Sequence, residues 1–138
     1  MRHRSPTNSR REENLTLRRE YSESNPWCEL AYWIPEFRLT RIRHLDSHET
    51  NHIFGGNSGR HDLKSNLIRL HFENHRWFHD HPFDGRICCL WVKHQKCEID
   101  ANEIKAASGM FLPGWLAKSE AKIEFVKPYL AKLRKAYP

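Results

Sequence analysis

Residues 49–82, ETNHIFGGNSGRHDLKSNLIRLHFENHRWFHDHP, constrain this chain more than any other stretch. Four short units follow one another there. Glu49 to Phe54 is a short strand-like run. Gly55, Gly56 and Gly59, with Asn57 and Ser58 between, form a wide turn, because glycine takes positive φ at no steric cost. Asn66 then opens an apolar run through Leu67, Ile68 and Leu70 that returns as a second strand. Glu73 to Asp80 reads as a helix, and Pro82 marks its end. A hairpin followed at once by a helix is therefore the expected centre of the fold.

Six of the ten histidines lie in the same stretch, between His52 and His81. His75 and His79 are four residues apart, which on a helix puts both rings on one face, within reach of one metal ion. Two surface histidines at that spacing also occur without a metal, so the pair alone leaves both readings open. A neutral histidine near pH 7 can accept a proton from water, and a divalent ion can offset the charge that develops in phosphodiester hydrolysis.

The order Asn51-His52, Gly-rich turn, Asn66, His75 and His79 resembles the HNH nucleases. The local text is similar too: His52-Ile53-Phe54-Gly55-Gly56 resembles the family's HI-x-G-G start, and Asn66 to Leu70 its NL-x-x-L strand. The resemblance covers about a quarter of the chain. It implies an α+β fold with a small ββα-metal core, His52 as the general base and Asn66 as the residue that ties the strands and orients that base. It places Asn51, His75 and His79 on one divalent ion, Mg²⁺ first, with Mn²⁺, Ni²⁺ or Zn²⁺ as alternatives. In the family an Asp or His precedes the base; Asn51 departs from that and is a weaker, neutral donor. The resemblance also implies DNA cleavage of the nicking or homing-like kind, a phage or mobile-element origin, and products with 3′-hydroxyl and 5′-phosphate ends.

Many HNH domains add a structural zinc on two Cys-x-x-Cys pairs. Here the second pair falls at His71 and Asn74, and only Cys28 survives near the first, with His44 or His48 as further candidates. The expectation is loss of that zinc and its replacement by packing of Trp27, Trp33 and Phe37. Cys88 and Cys89, inside an apolar run, read as buried hydrophobes rather than disulfide partners.

The chain has 138 residues, is 38% apolar and carries a formal net charge of +6. Its mean hydropathy is -0.82, so the core must be small. A basic balance suits an anionic partner, and DNA is the expected one. Arg60, Lys64, Arg69 and Arg76 flank the motif and are the candidate phosphate contacts. Arginines at 2, 4, 10, 11, 18 and 19 and the tail residues Lys127, Lys132, Arg134 and Lys135 extend the track. No apolar stretch approaches the length of a membrane span and no signal-like segment stands out, so a cytoplasmic location is expected.

Three units are expected: a mobile basic arm over 1–25, with a short helix near Leu15 to Tyr21; an HNH domain over 26–97; and a helical extension over 98–138. Glu36 to Ile42 alternates like a strand. Asp100 and Glu103 form a capping-box start, Gly109 a stop, and Pro128 the first turn of a last helix, Tyr129 to Ala136. Two other functions remain open. One is an HNH scaffold that binds nucleic acid, or sits in an assembly, without cutting. The other is a cupin-type metal enzyme, suggested by His79-Asp80-His81-Pro82.

Overall fold

The computed structural model describes residues 6–38, 49–55, 62–109 and 113–136, without the side chains of 6–11, 113, 115–117 and 133–136. The structure is mixed α+β and mostly helical. Among the described residues, six helices accompany one two-stranded antiparallel sheet: α1 (Pro6–Ser24), α2 (Glu29–Trp33), β1 (Glu49–His52), β2 (Leu67–Leu70), α3 (Phe72–Asp80), α4 (Pro82–Gln95), α5 (Ala101–Ser108) and α6 (Pro113–Ala136).

The hairpin and helix expected from residues 49–82 are present. Glu49 pairs with Leu70, Asn51 with Ile68, and His52 with Leu67. Asn66 closes a single 3-10 turn (Lys64–Asn66) immediately before β2. Leu67, Ile68 and Leu70 are all fully buried, so β2 is covered on both faces. The chain then enters α3 through His71, whose imidazole accepts from the backbone N–H of Glu73 and caps the first turn. Pro82 ends α3 and begins α4, where its missing N–H costs nothing.

The core lies between the hairpin, α2, α4 and α6. Leu30, Phe37, Ile53, Ile68, Leu70, Cys89 and Val92 form its centre, and Ile123, Val126 and Leu130 close it from α6. Cys88 and Cys89 are buried free thiols, as the apolar run around them suggests. The capping residues at α5 are also as expected. The Asp100 carboxylate accepts from the N–H groups of Asn102 and Glu103, and Gly109 takes the left-handed conformation at φ 71°.

Three sequence expectations are corrected. Residues 6–24 form a helix, longer than the short one expected in a mobile arm, because Tyr21 is buried and anchors it to the core. Pro35–Phe37 is a 3-10 turn, closed by the Arg38 N–H on the Pro35 carbonyl at 3.0 Å, where a strand was expected. Pro35 fixes φ and favours that turn; residues 39–42 of the expected strand lie outside the described residues. Pro128 sits inside α6 rather than at a helix start. Ile123, Val126 and Leu130 recur at three- and four-residue spacing and are all buried, so packing against α4 carries the helix through the proline.

Candidate active site

Alternation along β1 puts Glu49 and Asn51 on one face of the hairpin, and Thr50 and His52 on the other. The two faces hold two polar constellations, one on each side of the Asn51-His52 peptide.

On the first face, α3 packs against β1. His75 and His79 lie one helical turn apart, and their Nε2 atoms are 2.8 Å from each other. Glu49 Oε2 is 2.6 Å from His75 Nδ1. The carboxylate accepts the Nδ1 proton of a neutral His75, which leaves the Nε2 lone pair directed toward His79. A carboxylate behind a ligating imidazole is a common way to fix its tautomer. Metal–nitrogen bonds of about 2.0–2.1 Å at right angles place two nitrogens about 3 Å apart, close to the separation of this pair. Asn51 shares the Glu49 face, is buried, and has a side-chain nitrogen with no hydrogen-bond partner. Rotating its amide by half a turn presents the oxygen at the same place. Two imidazole nitrogens and an amide oxygen are donor types that a divalent ion accepts. Among the described residues no group of three His, Cys, Asp or Glu side chains is arranged to hold a metal.

On the second face, His52 Nε2 is 2.6 Å from Asp62 Oδ1. Arg18 Nε, from α1, stands 3.5 Å from the same oxygen. The chain just beyond His52 is held by Asn66, which is fully buried. Asn66 Oδ1 accepts from the Phe54 N–H at 2.8 Å, and its Nδ2 donates to the Phe54 carbonyl at 3.1 Å. The Ile53 N–H donates to the Asn66 carbonyl at 2.9 Å. One asparagine thus fixes the backbone two residues beyond His52.

Cys28, His71 and Asn74 meet at the position expected for a structural zinc, but as protein hydrogen bonds. Asn74 Nδ2 donates to Cys28 Sγ at 3.1 Å. Burial pushes the Cys28 thiol up, against the thiolate a zinc ion needs. His71 Nδ1 is taken by the Glu73 N–H. These three side chains do not make a zinc set; His44 and His48 lie outside the described residues. The replacement packing also differs from expectation. Phe37 stacks edge-on against Trp77 at 4.9 Å, whereas Trp27 and Trp33 are 50% and 37% exposed.

The expected phosphate contacts divide. Arg76 is exposed beside the histidine pair. Lys64 is exposed and 3.9 Å from Glu98. Arg69 is half-buried and donates to Thr50 Oγ1 at 3.0 Å; desolvation lowers its pKa. Arg60 and His61 lie outside the described residues. Lys127 pairs with Glu124 at 3.0 Å, and the Arg134 and Lys135 side chains are outside the described set. His81 stacks on Trp77 at 4.9 Å, and His79 to Pro82 is a helix junction rather than part of a barrel.

Sequence reasoning missed three residues. Glu49 is two positions before Asn51, so strand alternation alone places it on the same face. Arg86 donates from Nε to the Ile53 carbonyl at 3.2 Å and lies over the Phe54 ring; nothing in the sequence ties α4 to the hairpin loop. Asp62 follows the Gly-rich turn, whose path the sequence leaves undefined.

No protein-family model, no curated protein and no solved structure matches this chain.

Proposed function

We propose that this protein is a metal-dependent endonuclease of the HNH type, hydrolysing phosphodiester bonds in DNA. The observation that carries the reading is the arrangement of one hairpin and one helix. It sets the His75–His79 nitrogens 2.8 Å apart on one side of β1 and His52 on the other, with Asn66 fixing the loop between.

In this reading His52 accepts a proton from water as the water oxygen attacks phosphorus. The P–O bond to the 3′ oxygen breaks, and the leaving oxygen takes a proton from solvent. Asn66 holds the Ile53–Phe54 backbone so that the imidazole does not have to reorganise during the step. Asn51, His75 and His79 would hold one divalent ion, most simply Mg²⁺. Such an ion, when bound, supplies positive charge at the phosphate and the leaving oxygen. Arg76, exposed on α3, and Arg86 would meet the flanking phosphates.

The rival reading is a scaffold that binds nucleic acid without cutting it. The neutral Asn51, where the family carries Asp or His, favours it. Supercoiled-plasmid nicking with Mg²⁺, Mn²⁺ or EDTA, beside His52→Ala, decides between the two. Metal-dependent nicking lost in the variant supports the nuclease. Retained DNA binding with no cleavage under any metal supports the scaffold.

A further inference from the structure

His52 has two ring nitrogens, and only one can accept a proton from water when the ring is neutral. Asp62 Oδ1 sits 2.6 Å from Nε2, with 6% of the Asp62 side chain exposed. A carboxylate accepts hydrogen bonds and donates none, so it selects the tautomer with the proton on Nε2. The lone pair then lies on Nδ1. The His52 side chain remains 13% exposed, so the ring stays within reach of a water molecule. Arg18 adds a countercharge 3.5 Å from the same Asp62 oxygen. It comes from α1, which Tyr21 anchors in the core. Asp62 therefore faces His52 and Arg18, from segments 34 residues apart in sequence.

We propose that Asp62 is the positioning residue for His52: it fixes the Nε2–H tautomer and the ring orientation, so that Nδ1 is the nitrogen that accepts the proton of the attacking water. The proposal rests on the nuclease reading for its catalytic meaning, and on geometry alone for the tautomer. Water gives its proton to Nδ1 and its oxygen to phosphorus. The imidazolium that results is held by the Asp62 carboxylate, which keeps its own charge and takes no proton. Nδ1 returns the proton to solvent after the 3′ oxygen has left.

The test uses the full chain and two readouts. The ring nitrogens of His52 are followed by long-range ¹H–¹⁵N correlation at about pH 8, above the ordinary imidazole range, in wild type, Asp62→Asn and Asp62→Ala. Asp62→Asn matches the native shape, so it keeps the fold where the alanine variant fails to. Plasmid nicking is measured on the same samples. The expected result is an Nε2–H tautomer in wild type and in Asp62→Asn, whose amide oxygen still accepts that proton, a mixture of tautomers in Asp62→Ala, and a fall in nicking of about 100-fold in Asp62→Ala and a smaller one in Asp62→Asn, which lacks the charge that holds the imidazolium. A wild-type ring protonated on Nδ1, a tautomer unchanged in a folded Asp62→Ala, or an Asp62→Asn variant that nicks as fast as wild type would each overturn the proposal. An Nε2–H tautomer that depends on Asp62 in a protein that never nicks would sink the nuclease reading and leave the Asp62–His52 pairing standing.

Discussion

The Tyr21 hydroxyl donates to Glu29 Oε2 at 2.6 Å and accepts from Lys93 Nζ at 3.0 Å, joining residues 72 positions apart in the chain. Glu29 is also bonded by Lys96 and by the Arg69 N–H at 2.7 Å, so α1, α2, β2 and α4 share one buried polar network. Lys93 is fully buried and also lies over the Tyr21 ring, 4.5 Å from its centroid. The network is what makes a polar, Arg-rich segment a docked helix. Tyr21→Phe keeps the ring and removes both bonds while leaving Lys93 beside Glu98. It is expected to cost about 2 kcal/mol, since both partners are charged. Urea denaturation reads the loss, and faster proteolysis within α1 shows where it falls.

The same network makes stability depend on alkaline pH. Burial pushes Lys93 down from 10.5 to about 8. Below pH 8 the folded state carries a charged lysine that it would rather release, at a cost of about 3 kcal/mol. Between pH 8 and 10.5 the unfolded chain keeps that proton while the folded one sheds it, so this group raises stability as pH rises. The buried cysteines act the other way. Cys88 is pushed from 9.0 to about 12 by burial, and Cys89 is raised well above 9.0 for the same reason. Above pH 9 the unfolded chain loses those thiol protons and the folded one retains them, so stability falls. Urea midpoints should rise from pH 7.5 to about 9 and fall beyond it, and Cys88→Ala should flatten the alkaline fall.

Gly85 sits in α4 because nothing larger fits there. A Cβ at this position would stand 2.8 Å from Phe78 Cδ2 and 3.2 Å from Phe78 Cα. Phe78 is buried and cannot move freely. Alanine gains up to about 1 kcal/mol of helix propensity over glycine, but overpacking costs about 1–3 kcal/mol. Gly85→Ala is expected to lower stability by about 1 kcal/mol, read as a drop in thermal midpoint. A rise would mean that α3 and α4 separate more easily than their packing suggests.

Asn66→Ala removes both bonds to the buried Phe54 backbone. Each costs about 1–3 kcal/mol, so the variant should lose roughly 3 kcal/mol. Asn66→Asp keeps the acceptor for the Phe54 N–H but faces the Phe54 carbonyl with an oxygen, and should be no better. Amide exchange at Phe54 is the local readout. It should quicken in Asn66→Ala by more than the global loss accounts for if this bond fixes the loop beyond His52.

How far the sequence exposed these features depended on their range. The hairpin, α3 and the cap at Asp100 were legible because alternation, turn glycines and capping residues act over a few positions. The bond between Asn74 and Cys28 has no local pattern behind it, since the two residues are 46 positions apart. The docking of α1 was not legible: its residues are polar, and its anchor is one tyrosine whose partners are 8 and 72 positions away. The run through Pro128 was hidden for a similar reason, since the proline is a local signal and the burial of Leu130 is a tertiary one. Asp62 and Arg86 reach the site from a loop and a helix that no local rule connects to the hairpin.

Glu49 offers a test of the metal reading that does not depend on cleavage. Its carboxylate lies 2.6 Å from His75 Nδ1 while half of its own side chain faces solvent. It is therefore dispensable to the core. Glu49→Gln keeps the size, and its amide can still accept the Nδ1 proton, but it removes the charge that raises imidazole basicity. Loss of such an outer partner typically weakens metal binding 10- to 100-fold. Calorimetric titration with Mn²⁺ should therefore show about a tenfold weaker Kd in Glu49→Gln and no detectable binding in His75→Ala. Stability without metal should be nearly unchanged in Glu49→Gln. Equal Mn²⁺ affinity in wild type and His75→Ala would remove the histidine pair from any metal site and take the ion-assisted reading with it.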